Sequence, residues 1–269
     1  MKLFFLGDIV GKTGCDSIKK NLSKIENKNK IDFVVVNGEN AADNGFGITE
    51  NITNELLLCG VDVITTGNHV WDQKEITEYI NNEKRLLRPL NLNKDSPGKG
   101  FGIFKSKNGC NIGVLNLMGN IFMKKCDDVF EAAKKFLEEN KLKKNYDFLV
   151  VDFHGEITSE KMAIGFFFDG KVTAVVGTHT HVPTSDTRVL SNGTAYQTDL
   201  GMCGVYNSVI GMNGENSLKK FFKDTSARHH FPAEGEATIS GLLVKGDDET
   251  GLAKKAEQII LGGSLQERS

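Results

Sequence analysis

Phe33-Val34-Val35-Val36-Asn37-Gly38-Glu39-Asn40 is an apolar, β-branched run that breaks at a glycine and ends in a carboxylate and an amide. The same design recurs along the chain. Leu3-Phe4-Phe5-Leu6 runs into Gly7-Asp8, and the run at 61–65 leads to Gly67-Asn68-His69. The run at 148–152 continues into Phe153-His154, and that at 172–176 into Gly177-Thr178-His179-Thr180-His181. Amphipathic stretches at 16–27, 49–58, 74–82, 127–139 and 159–167 separate these runs, the pattern of βαβ units with a sheet covered by helices. Further strands are expected at 112–117, 188–190, 194–197 and 237–244. Two hairpins join in, one between 101–105 and 111–115 through Lys107-Asn108-Gly109, the other turning at Asn192-Gly193. The fold class is therefore α/β, a layered fold with central mixed β-sheets flanked by helices.

No repeat, low-complexity tract or linker interrupts the 269 residues, so one domain over 1–269 is expected, with 203–236 an irregular excursion carrying a short basic helix near 217–223. The 33 basic and 35 acidic residues nearly cancel, and a polyanionic substrate has to be attracted locally rather than by a global field. Five scattered cysteines without a C-x-x-C pair fit neither a disulfide framework nor a thiolate zinc site, and reduced thiols are expected. The first ten residues lack the length and cleavage site of a signal peptide, and no apolar run is long enough to span a bilayer. Cytoplasmic residence without membrane attachment is the expectation.

The chemistry lies where the strands end. Carboxyl ends of strands in an open α/β sheet share one edge, which brings Asp8, Glu39, Asn40, Asn68, His154, His179 and His181 to one cleft despite their separation in sequence. A buried cluster of this kind is costly to desolvate without a cation. Three imidazoles with carboxylate and amide oxygens, and no thiolate, suit iron, manganese or zinc. Seven donors exceed what one small transition ion takes from protein. Two ions sharing a carboxylate, about 3.5 to 4 Å apart, would use them all and could clamp a phosphoryl group.

These motifs resemble the calcineurin-like metallophosphoesterases, and more narrowly their YmdB-like bacterial phosphodiesterase branch. The match runs through Gly7-Asp8-Ile9-Val10-Gly11, Asn37-Gly38-Glu39-Asn40-Ala41-Ala42, Gly67-Asn68-His69-Val70-Trp71-Asp72, Asp152-Phe153-His154 and Gly177-Thr178-His179-Thr180-His181-Val182. It continues at Gly193-Thr194-Ala195-Tyr196 and Ser208-Val209-Ile210-Gly211-Met212, and so covers almost the whole chain. The resemblance implies one ion on Asp8, Glu39, Asn40 and His181, and a second on Glu39, Asn68, His154 and His179. It implies His69 as the proton donor to the departing ribose oxygen, iron as the metal, 2′,3′-cyclic nucleotides or RNA-end phosphates as substrate, and a homo-oligomer. A water between two cations would ionise near neutral pH, while a protonated His69 would assist the leaving alkoxide by a factor of about 10² to 10⁴.

The chain departs from the wider pattern at Asp8-Ile9-Val10, where the usual histidine is missing and Asn40 fills the place. Within the branch, Asn120 stands where an arginine is expected and Pro183 where a glutamine is, two departures that bear on substrate contacts. Asp72 reads either as an orienting partner of His69 or as a helix cap, and Trp71 either borders the cleft or packs in the core. His229-His230 is read as non-ligating. Gly7 to Thr13 imitates a P-loop but holds three residues between its glycines where the cradle needs four, which argues against an NTPase. The alternative function is a metal-bound regulatory or RNA-binding protein using Lys124-Lys125, Lys134-Lys135 and the lysines of 141–144, although such runs are usually solvated surface.

Overall fold

The computed structural model describes residues 1–268. In chain order the elements are β1 (Lys2–Val10), α1 (Gly11–Asn29), β2 (Phe33–Asn40), α2 (Glu50–Leu58), β3 (Val63–Thr65) and α3 (Ile76–Tyr79). Then come β4 (Phe101–Lys105), β5 (Asn111–Met118), α4 (Val129–Glu139), β6 (Phe148–His154), α5 (Thr158–Phe168) and β7 (Ala174–Thr178). The last are β8 (Arg188–Val189), β9 (Ala195–Gln197), β10 (Met202–Cys203), α6 (Gly214–Phe221), β11 (Ile239–Gly246) and β12 (Ala253–Leu261).

The strands form two mixed sheets. One has the order β12-β11-β1-β2-β3, with β10 also pairing with β1, and the other β4-β5-β6-β7-β9-β8. Alternation along the strands sets the layers. Leu3, Phe5, Phe33 and Val35 face one core together with Ile112, Val114, Phe148 and Val150 of the other sheet. Phe4, Leu6, Val34 and Val36 face the opposite way, against Ile18 and Leu22 of α1 and Leu56 of α2. Leu149, Val151 and Phe153 pack against Ala133 and Phe136 of α4 and Ile164 of α5. The result is four layers, helix, sheet, sheet and helix. With both faces of the central strands buried, their sequences read as continuous apolar runs instead of alternating ones.

Local chemistry explains the helices. Asp128 accepts from the backbone N–H groups of Phe130 and Glu131 at 2.9 Å, and Val129, Ala133, Phe136 and Leu137 then form the buried stripe of α4. Thr49 caps α2 through Ile52 N at 3.2 Å. By contrast α1 begins directly after β1, five residues before the expected start at 16, with no side-chain cap to announce it. α3 is confined to Ile76–Tyr79 where 74–82 was expected.

Three expectations need correction. The donor-bearing strands belong to two sheets, β1 to β3 in one and β6 and β7 in the other, so the shared edge is the rim of a sandwich. β12 was not anticipated, because Lys254, Lys255 and Glu257 interrupt it. It is a terminal strand of its sheet, where such charges guard the edge. The stretch 203–236 is not wholly outside the sheets, since Cys203 pairs with Ile9 of β1. All five cysteines are free, and among the described residues no helix is long and apolar enough to cross a membrane.

Phe148 is fully buried where the two sheets meet. Phe148→Ala is expected to cost about 3 to 5 kcal/mol, read as a lower urea midpoint at unchanged slope.

Candidate metal centre

Each donor is delivered by a strand or by the turn that leaves it. Asp8 lies in β1 where the pairing with β2 shifts register on both sides of it, an irregularity that re-aims a side chain. Glu39 and Asn40 close β2, and His154 closes β6. Asn68 and His69 follow β3, and His179 and His181 follow β7. Asp8, Glu39, Asn40, His154 and His181 are buried, whereas Asn68, His69 and His179 are half-buried and open to the cleft.

The structure brings these side chains together in two groups. In the first, His154 Nε2 lies 3.0 Å from Glu39 Oε1, 3.1 Å from Asn68 Oδ1 and 3.0 Å from His179 Nδ1. One N–H cannot serve three such partners. Separations of about 3 Å are those of donors arranged around a common ion with bonds of about 2.1 Å. Glu39, His154 and His179 form a metal-competent cluster among the described residues. In the second group, His181 Nε2 lies 3.3 Å from Asn40 Oδ1 and 4.0 Å from Asp8 Oδ1. That Asp8 oxygen is buried and without a hydrogen-bond partner. Leaving a carboxylate oxygen in this state is expensive unless a cation answers it, and the donor set therefore fits one.

Neighbouring hydrogen bonds fix which atom of each candidate ligand faces the cleft. His181 Nδ1–H donates to the Ile210 carbonyl at 2.8 Å, and the Asn40 amide nitrogen donates to Gly45 O at 2.8 Å, which turns His181 Nε2 and Asn40 Oδ1 inward. The Thr178 hydroxyl donates to Asp152 Oδ1 at 2.8 Å and accepts from His154 Nδ1 at 2.9 Å. Asn37 donates to the other Asp152 oxygen at 3.0 Å. His179 Nε2 faces Glu156 at 3.1 Å, freeing Nδ1.

The electrostatics follow from burial and crowding. Burial, only partly offset by His181 and His154, raises Asp8 to about 6. Glu39 is equally buried, yet the His154 and His69 charges outweigh desolvation and hold it at about 2. Desolvation opposes the charge on His154, but Glu39 and Asp8 prevail and lift it to about 9. Burial and the neighbouring His154 push His179 down to about 3.

Gly67 makes the packing possible. A Cβ there would stand 2.3 Å from both Glu39 Oε2 and His154 Nε2. Gly7 likewise lets β1 pass against the Gly201 carbonyl, which a Cβ would meet at 1.9 Å.

His69 stands beside this centre. Its backbone N–H donates to Glu39 Oε2 at 3.1 Å, and its ring Nδ1 faces Asp72 Oδ2 at 2.6 Å. Asp72 is thus paired to His69 and not a helix cap; Glu75 immediately precedes α3. The other Asp72 oxygen lies 3.4 Å from Lys124.

The YmdB-like protein family matches residues 4–259 of this sequence. The chain belongs to that family. It is 44% identical over 261 residues to a Bacillus subtilis (strain 168) protein named 2′,3′-cyclic-nucleotide 2′-phosphodiesterase, with 97% of each chain covered. A crystal structure titled as a novel phosphatase from Mycoplasma pneumoniae superposes with a TM-score of 0.89 at 37% identity, covering 97% of this chain and 93% of that one. A hypothetical protein from Thermus thermophilus gives a TM-score of 0.89 at 36% identity over 98% of this chain and 100% of that one. The layered, metallophosphoesterase-type α/β fold is common to them.

Several further residues of this YmdB-like chain support the cleft. Asn37, Asp152 and Thr178 sat inside the quoted motifs, but Lys161 and Asp199 carried no signal, since a helical lysine is normally solvated. Both are 1% exposed, and their side chains meet at 2.5 Å. Lys161 also donates to Thr178 O at 2.7 Å, and Asp199 accepts from Thr180 N at 3.0 Å and Gly201 N at 2.8 Å. This pair clamps the backbone on both sides of His179. His179 and His181 have φ of 101° and 65°, conformations that side-chain-bearing residues rarely adopt unless their surroundings enforce them.

The remaining candidates, His230 apart, fall elsewhere. Trp71 packs against the helix-covered core, and His229 lies apart from the donors while His230 lines the cleft. Asn120 ties its own loop, accepting from Val129 N at 2.9 Å and donating to Asp127 O at 3.0 Å. Pro183 abuts Gly201. Lys12 of the P-loop-like segment pairs with Asp16 on the surface of α1, and Lys143 is engaged with Asp248 O at 2.8 Å.

Lys161→Met leaves Asp199 buried without its countercharge, and a loss of about 3 to 5 kcal/mol is expected in denaturant unfolding. Replacing both partners, Lys161→Met with Asp199→Asn, is expected to cost less than the single change.

Proposed function

We propose that this chain is a metal-dependent phosphodiesterase that opens 2′,3′-cyclic nucleotides, with two transition-metal ions held at the sandwich rim. The observation that carries this reading is the convergence of carboxylate, amide and imidazole donors in two neighbouring groups, one around His154 and the other around His181. Asp8, Glu39, Asn40 and His181 would hold one ion, and Glu39, Asn68, His154 and His179 the other. The donor chemistry, without thiolate, supports iron, manganese or zinc alike, and the preference for iron rests on the family resemblance alone. Identity to the Bacillus subtilis phosphodiesterase supports the substrate class.

When bound, such ions neutralise phosphate oxygens and acidify water. The chain's own contribution is positioning and one proton. Asn40 and Asn68 add neutral oxygens, so that a carboxylate shared between sites does not overload the cleft with negative charge. His69, beside the donors and not among them, presents its free ring nitrogen to the leaving oxygen. Asp72 fixes the ring's orientation through Nδ1, the role a carboxylate plays behind a catalytic imidazole.

Purified protein is expected to carry about two metal ions per chain and to hydrolyse 2′,3′-cyclic AMP well ahead of phosphomonoesters. His69→Ala is expected to lower kcat by about 10² to 10⁴ with the metal content retained. Metal analysis beside steady-state kinetics checks both. A strong preference for monoesters refutes the substrate assignment, and a His69→Ala variant as fast as wild type refutes the proton donor.

A further inference from the structure

The cleft has a side that the phosphate chemistry does not use. A cavity of about 300 Å³ is lined by Phe46, Ile210, Met212 and Phe221 together with His69, His179, His181 and His230. Phe46 packs tilted against the His69 ring, 5.0 Å between centroids. Phe221 ends α6 with 78% of its surface exposed, and Ile210 is 55% exposed. α6 is delivered by the loop that follows β10, whose Ile210 carbonyl also orients His181. An aromatic ring and an aliphatic side chain are thus exposed to water in the same pocket that holds the polar donors.

We infer that this wall is a nucleobase subsite, with Phe221 as the stacking platform. The inference rests on the phosphodiesterase reading above and specifies it. A substrate that meets both kinds of surface needs an anionic ester joined to a flat, largely apolar body, which describes a nucleotide and not a simple alkyl phosphodiester. Stacking on an aromatic side chain tolerates any base, because each has a π-face, and is lost on truncation to alanine with an effect of about 5- to 150-fold in dissociation constant. Selectivity for nucleotides over base-free esters would then come from an element distant in sequence from the donors.

The test is calorimetric titration of the protein as purified with adenosine 3′-phosphate and with ribose 3-phosphate, comparing wild type, Phe221→Ala and Phe221→Trp. Phe221 is exposed, so its replacement is not expected to disturb folding. Wild type is expected to favour the nucleotide by about ten- to a hundredfold, Phe221→Trp to keep that ratio, and Phe221→Ala to bring it close to one. A wild-type ratio near one, or an unchanged ratio in Phe221→Ala, overturns the subsite. If Phe221→Ala instead alters the sedimentation mass and leaves the ratio intact, the face belongs to a second copy of the chain and the subsite is again overturned. Titration needs no turnover. A preserved wild-type preference without hydrolysis of 2′,3′-cyclic AMP would fault the assigned reaction and leave the base wall standing.

Discussion

Glu39 from one sheet and His154 from the other meet at 3.0 Å, and the arrangement of the cleft depends on that meeting across the sandwich. Neither residue could reach the other if the sheets slid or parted. The inter-sheet core of Leu3, Phe5, Phe33, Phe148 and Val150 therefore does more than stabilise the fold, because it sets the distance between two halves of a donor set. Close-packed interiors transmit small shifts instead of absorbing them, which suits a site with tolerances of tenths of an ångström.

Bringing such groups together has a physical cost that the surroundings offset. Asp8, Glu39 and His154 are fully or nearly fully buried, Gly67 has to lack a side chain, and His179 and His181 take unfavourable backbone conformations. The Lys161–Asp199 pair, together with the Asp152, Thr178 and Asn37 network, over-determines the backbone and the ring orientations there. Local strain at a site persists only where the scaffold is this rigid.

Much of this was legible in the sequence because its signals are local. A β-branched run followed by glycine and a polar side chain marks a strand and its exit, and five such runs carry the side chains that converge at the rim. What escaped notice depends on partners far along the chain. Which of the two sheets a strand joins is invisible when both its faces are apolar. The start of α1 lacks a capping residue, and β12 is disguised by edge charges. Lys161 looks like any helical lysine until Asp199 is placed against it. The aromatic wall from α6 fell in a stretch read as an irregular excursion, since an amphipathic helix of eight residues does not reveal which cleft it borders.

In the proposed reading, donors from two sheets grip a pair of cations through a shared carboxylate. Anomalous scattering from crystals of the metal-loaded protein, collected at the edge of the bound metal, tests it most directly. Two peaks about 3.5 to 4 Å apart on either side of the Glu39 carboxylate are expected. A single peak, or peaks away from Glu39 and His154, would contradict it.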